Sequence, residues 1–149
     1  MELHQYGLLV ALQNFALRIQ QQFGMTCVVQ AGARAPARLK NTTAVHLFRI
    51  AQEALANVLR HAHACHASVI LLRQPHDVTL LVEDDGQGFD PAIIQEKGDK
   101  CIGLIGMKER VALLGGDLLI QSAPRGGTTL LARIPLSDDD HADTDLDRR

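Results

Sequence analysis

The chain has 149 residues, 46% of them hydrophobic and 21% charged, and a formal net charge of −2. That length suits one domain with a single sizeable core. With no basic surplus and no tryptophan, neither an electrostatic footprint for nucleic acid nor a base-stacking platform is expected.

The three cysteines, Cys27, Cys65 and Cys101, are odd in number and lack C-x-x-C spacing. They read as free thiols of a reducing compartment. The first residues lack the basic leader of a signal peptide, and Gln13 and Asn14 break the apolar run that follows. No stretch approaches the length of a membrane-spanning helix.

Residues 8–23 carry Leu8, Leu9, Leu12, Phe15, Ala16 and Ile19 at helical spacing, with Gly24 as terminator. A short strand is expected over 27–30, and a loop over 31–40 around Gly32 and Pro36. Asn41, Thr42 or Thr43 could then cap a helix over 46–61. Its apolar stripe is Leu47, Ile50, Ala51, Ala54, Leu55, Val58 and Leu59; the other face carries Arg49, Gln52, Glu53, Asn57 and Arg60. Glu53 and Asn57 lie four apart, so a carboxylate stands over a carboxamide with a cation one turn on. Such a face can hold a hydrated metal ion beside an anion, or it can simply be solvated.

Two strands, 67–73 and 78–83, are expected to form a hairpin through 74–77. An acidic glycine-rich loop follows at 84–91, then a mobile loop over 93–102, a helix over 104–114 ended by Gly115 and Gly116, and strands 118–122 and 128–134. From Ser137 the chain is acidic with almost nothing to bury, and it reads as a disordered tail. We therefore divide the chain into residues 1–23, a linker segment and first helix packed on the domain; 24–136, the domain proper; and 137–149, the tail. The order of elements suggests an α/β two-layer sandwich, with helices on one face of a mixed, mostly antiparallel sheet.

Three further signals bear on chemistry. Asp84-x-Gly86-x-Gly88 directly follows a strand, where a carboxylate can accept from an exocyclic amine and glycines let backbone approach a ligand. The same pattern also fits a plain turn or a calcium-like loop. Gly103, Leu104 and Gly106 open a helix whose free amides could cradle an anion, near Lys97, Lys100, Lys108 and Arg110. Gly126, Gly127, Thr128 and Thr129 enter the last strand, as in an ordinary hairpin. His61, His63, Cys65 and His66 have metal-ligand chemistry, but their spacing is compact and no second cluster completes a site.

In combination these segments are far more specific. The sequences FRIAQEALANVLRHA over 48–62, EDDGQGFDP over 83–91 and GLIGMKER over 103–110 with LGG over 114–116 resemble the ATP-binding domain of the gyrase, Hsp90, histidine kinase and MutL superfamily. Within it they are most similar to sensor histidine kinases that partner NarL/LuxR-type response regulators. The resemblance covers about residues 8–136.

The resemblance implies a Bergerat-type fold, ATP as substrate and Mg²⁺ as cofactor. Asn57 would be the metal ligand. Glu53 would orient or activate the phosphate end, with Arg60 and His61 near phosphate. Asp84 would bind the adenine amino group in a pocket shaped by Gly86 and Gly88. Gly103, Leu104 and Gly106 would flank the phosphates at the end of a lid over about 94–102, and Thr128 would close the adenine side.

It further implies transfer of the γ-phosphate to a histidine on a dimerisation hairpin that this chain lacks. Glu2, Leu3 and His4 look like the acceptor motif, but His4 lies too close to the central helix for a two-helix hairpin. The isolated domain is accordingly expected to be monomeric and cytoplasmic, with no direct nucleic-acid partner. Cys101 stands where many relatives have glycine, the lid is short, and Phe89 is the only phenylalanine between the two glycine segments. Two other readings remain: a non-catalytic nucleotide-binding module, and an anti-sigma-type serine kinase of the same fold.

Overall fold

The structure, a computed structural model, describes residues 5–32, 39–62, 64–87 and 102–136. In chain order the elements are α1 (Gln5–Phe23), β1 (Thr26–Ala31), α2 (Asn41–Asn57) continued by a π-helical turn (Val58–Ala62), β2 (His66–Arg73), β3 (Asp77–Asp84), α3 (Ile102–Leu113), β4 (Asp117–Ser122) and β5 (Thr128–Pro135). The expected mobile loop before α3, the acidic tail, His4, His63, Gly88, Phe89 and Cys101 lie outside the described residues.

The strands form one sheet in the order β1-β2-β3-β5-β4. β1 and β2 are parallel, and every other pair is antiparallel. Alternation along the strands sets the layers. Ala67, Val69 and Leu71 of β2, Val78, Leu80 and Val82 of β3, and Leu130, Ala132 and Ile134 of β5 are buried. Their alternates, including Ser68, Ile70, Thr79, Leu81, Thr129 and Leu131, keep part of their surface in solvent. The helices therefore cover one face, giving the expected two-layer sandwich.

Into that face α2 sends Leu47, Ile50, Ala51, Ala54 and Leu55, α1 sends Leu8, Leu12, Ala16 and Ile19, and α3 sends Met107 and Val111. Those of α1 and α2 belong to the apolar stripes expected from their 3.6-residue period. Burying each of the larger side chains stabilises the fold by roughly 1.5–3 kcal/mol before conformational entropy is charged against it. Phe15 and Phe48 meet edge-on, centroids 6.1 Å apart, and fasten α1 to α2.

The ends of α1 and α3 follow the sequence. Gly24, with φ +73°, closes α1, its N–H donating to Gln20 O at 3.0 Å. After α3, Gly115 N–H donates to Ala112 O and Gly116 N–H to Val111 O, each at 2.9 Å, the pair of bonds that ends a helix in a Schellman turn.

The start of α2 departs from expectation. Asn41, Thr42 and Thr43 do not cap it; they lie inside its first turn, and Lys40 is the N-cap, its side chain making no capping hydrogen bond. Thr43 and Ala44 are buried, so packing of the first turn extends the helix past its polar capping candidates. Of the cysteines described, Cys27 is buried and Cys65 exposed, and both are free thiols as expected. Among the described residues, no helix is long and apolar enough to cross a membrane.

Candidate nucleotide site

The register of the sheet gathers the sequence signals at one end. Ala67, near the start of β2, pairs with Asp84, and Asp84 pairs with Thr128 at the start of β5. A short connection joins the Asn57 end of α2 to the start of β2. The helix end, the D-x-G-x-G loop and the turn before β5 therefore share one edge of the sandwich.

Asp84 is the last residue of β3, on the same side of the sheet as the buried Val82 and Leu80, and only half-buried itself. Its Oδ1 accepts the Gly86 N–H at 2.8 Å. Burial pushes its pKa up, as does the charge of Asp85, while the Gly86 and Thr128 amides pull it back. The result is a carboxylate whose oxygens are aimed by backbone but not saturated.

The wall beside it is backbone. Gly127 has φ +73°, and a Cβ there would lie 2.3 Å from Asp84 O. Only glycine provides both the left-handed conformation and that approach. Ser122 Oγ donates to Gly127 O at 3.1 Å, so in its 2.8 Å contact with Thr128 Oγ1 the threonine hydroxyl is the donor. The Arg125 N–H donates to Gln87 O and ties this turn to the D-x-G-x-G loop.

On α2, Glu53 and Asn57 are both half-buried and one turn apart. Arg60 reaches back to Glu53, Nη2 to Oε1 at 3.6 Å, with both side chains substantially exposed. Asn57 is the last α-helical residue. At the boundary Val58 N–H is shared between Ala54 O and Leu55 O, and the π-helical turn then carries Arg60 and His61. Such turns recur where a helix is re-aimed at a site, and no local sequence pattern announces this one. The side chain of His61 lies outside what the structure describes.

Gly103 and Leu104 lie in the first turn of α3, and Gly106 follows one turn on, with open space where its Cβ would stand. Further along, Arg110 Nη1 meets His46 Nδ1 at 3.4 Å and holds α3 against α2. Thus Glu53, Asn57, Arg60, Asp84, Gly86, Gly103, Leu104, Gly106 and Thr128 all lie on described elements that border one another. Asp85, bonded to Cys65 and His66, belongs to the same edge and was not singled out from the sequence.

Comparison with known proteins points the same way. Residues 42–138 match the family described as histidine kinase-, DNA gyrase B-, and HSP90-like ATPase. The chain is 35% identical over 140 residues to the signal transduction histidine-protein kinase/phosphatase DegS of Brevibacillus brevis, covering 92% of this chain and 34% of that protein. It is 36% identical over 100 residues to the sensor protein VraS of Staphylococcus epidermidis, covering 67% of this chain and 28% of that protein. The chain thus spans about a third of the length of these relatives. A histidine kinase domain from the Erythrobacter litoralis EL346 blue-light activated histidine kinase shares the fold, with TM-score 0.69, 24% identity, and coverage of 90% of this chain and 63% of that one.

Proposed function

Since the chain belongs to the histidine kinase-, DNA gyrase B- and HSP90-like ATPase family, we propose that it is the ATP-binding catalytic part of a two-component sensor histidine kinase. The observation that carries this reading is Asp84, an aimed but unsaturated carboxylate against a wall that Gly127 keeps clear. An adenine amine donates to such an acceptor in a charge-assisted hydrogen bond.

The phosphates would then run toward α2 and the start of α3, where the first turn, with Gly103 and Leu104, offers amides without an intrahelical acceptor and Arg60 offers a cation. Glu53 and Asn57 present carboxylate and carboxamide oxygens one turn apart, a donor set that fits Mg²⁺, with phosphate and water oxygens completing the shell. Bound there, the ion would neutralise charge that develops on the phosphates. Glu53 orients water in that shell or takes the proton of the incoming imidazole.

In the transfer itself, the bond from the γ-phosphorus to its bridging oxygen breaks, a nitrogen–phosphorus bond forms on the acceptor histidine, and ADP leaves. The acceptor belongs to a dimerisation hairpin outside this sequence, and a NarL/LuxR-type response regulator receives the phosphoryl group next. The domain works in the cytoplasm, where ATP is available.

The test is to mix the chain with labelled ATP, Mg²⁺ and a separately made acceptor hairpin from a sensor kinase of this type. Slow formation of acid-labile phosphate on the hairpin is expected, because the step has become bimolecular. Acid-stable phosphate on serine would instead favour the anti-sigma-type kinase. ATP binding with no transfer to the hairpin or to the parent kinase's own hairpin would leave a nucleotide-sensing module.

A further inference from the structure

We propose that Asp85 is a positioning residue for nucleobase recognition: its carboxylate pins the D-x-G-x-G loop to the junction behind α2 and so holds the neighbouring Asp84 at its angle toward the base. This rests on the nucleotide reading of Asp84.

One oxygen of Asp85, Oδ1, accepts two successive backbone amides, Cys65 N–H and His66 N–H, each at 2.9 Å. The Asp85 N–H returns a bond to His66 O at 3.1 Å, which closes the clasp. Cys65 O in turn accepts Thr26 N–H at 3.0 Å, so the junction is itself anchored to β1. The clasp joins segments about twenty residues apart in sequence. The amides hold the Asp85 carboxyl below the usual carboxylate range, His66 contributing most, so it is ionised and an acceptor at neutral pH.

At its far end the D-x-G-x-G loop is tied to the turn before β5, where the Arg125 N–H donates to Gln87 O. The Gly86 amide that aims the Asp84 carboxylate belongs to the loop it must orient. A rotation of residues 85–87 would carry that donor away, and the Asp85 carboxylate opposes it from the near end of the loop. Asp85 is fully exposed and fills no core. Its removal leaves no cavity and returns two exposed amides to water, so a purely structural role would move little.

The experiment compares affinity for ADP and for inosine diphosphate, which carries a carbonyl in place of the adenine amine, in wild type, Asp85→Asn and Asp85→Ala. Asparagine keeps an oxygen that accepts both amides but removes the charge; alanine removes both. Wild type and Asp85→Asn are expected to prefer ADP by similar ratios. Asp85→Ala is expected to lose about tenfold of that preference, or about 1.4 kcal/mol, with its thermal unfolding close to wild type. Should Asp85→Ala fail to fold, Asp85→Ser, whose hydroxyl cannot reach as far, is held to the same expectation. A full ADP preference in the alanine or serine variant overturns the proposal, and so does an equal loss in asparagine and alanine, which would make the charge the cause. A wild type with no ADP preference overturns the nucleotide reading of Asp84 itself, a result distinct from either.

Discussion

Asp84 and Thr128 are partners at the last rung between β3 and β5, and the Thr128 amide across that rung draws the pKa of the Asp84 carboxylate back down. This pairing fixes the proposed base-binding acceptor from the far strand while burial raises the cost of its charge. An ionised group held where solvation is poor favours binding at the expense of stability.

Asp84→Asn should separate those two effects. Loss of the anionic acceptor is expected to weaken ADP binding by about 1.5–3 kcal/mol, read by calorimetry. Because the folded-state pKa of Asp84 is raised, its contribution to stability is present below the unfolded pKa and lost as pH rises through the folded one. The apo variant should therefore melt no lower than wild type at neutral pH, and its ADP-induced rise in Tm should shrink. An unchanged ADP affinity removes Asp84 from the site.

Gly127→Ala and Gly24→Ala share a glycine at φ +73° but differ in surroundings. At Gly24 no atom lies within 4 Å of the new methyl, so the cost should be the backbone term alone, about 1–2 kcal/mol. At Gly127 the methyl would meet Asp84 O at 2.3 Å, and relieving it must displace Asp84. Chemical denaturation should show a larger loss there, and ADP affinity should fall for Gly127→Ala only. Equal losses with ADP binding intact would show that the close approach is absorbed elsewhere.

The Arg60–Glu53 pair is a weak stabiliser, since Arg60 is exposed and Glu53 only half-buried; such solvated pairs are worth about 0–1 kcal/mol. Arg60→Gln should leave unfolding nearly unchanged and lower affinity for ATP more than for adenosine. A stability loss well beyond 1 kcal/mol would mean that the pair holds the end of α2 in place.

Asn57→Ala tests the metal end. It should abolish the Mg²⁺-dependent part of ATP affinity and nearly all transfer to a supplied hairpin, while Mg²⁺-free ADP binding through Asp84 stays close to wild type. Glu53→Gln should reduce transfer more than binding. A solvated, functionless face tolerates both changes, so normal transfer in Asn57→Ala would reassign that face.

The sequence by itself determined the layers and the order of elements. The apolar stripe of α2 from Leu47 to Leu55, the alternation through Val78, Leu80 and Val82, and the glycines after α1 and α3 are local patterns that read directly as burial and helix ends. The motif order also named Asp84, Asn57 and Gly103 as candidates for the site. Other features were decided only in three dimensions. Burial of Thr43 and Ala44 started α2 at Asn41, ahead of where capping chemistry placed it. The π-helical turn after Asn57 and the placement of β5 between β3 and β4 have no local signature. The Asp85 clasp on Cys65 and His66 is of the same kind. Periodicity reports which side of an element is buried. Which distant amide satisfies a given carboxylate depends on strand register and on how the chain returns to the sheet, and those are set by packing of the whole core.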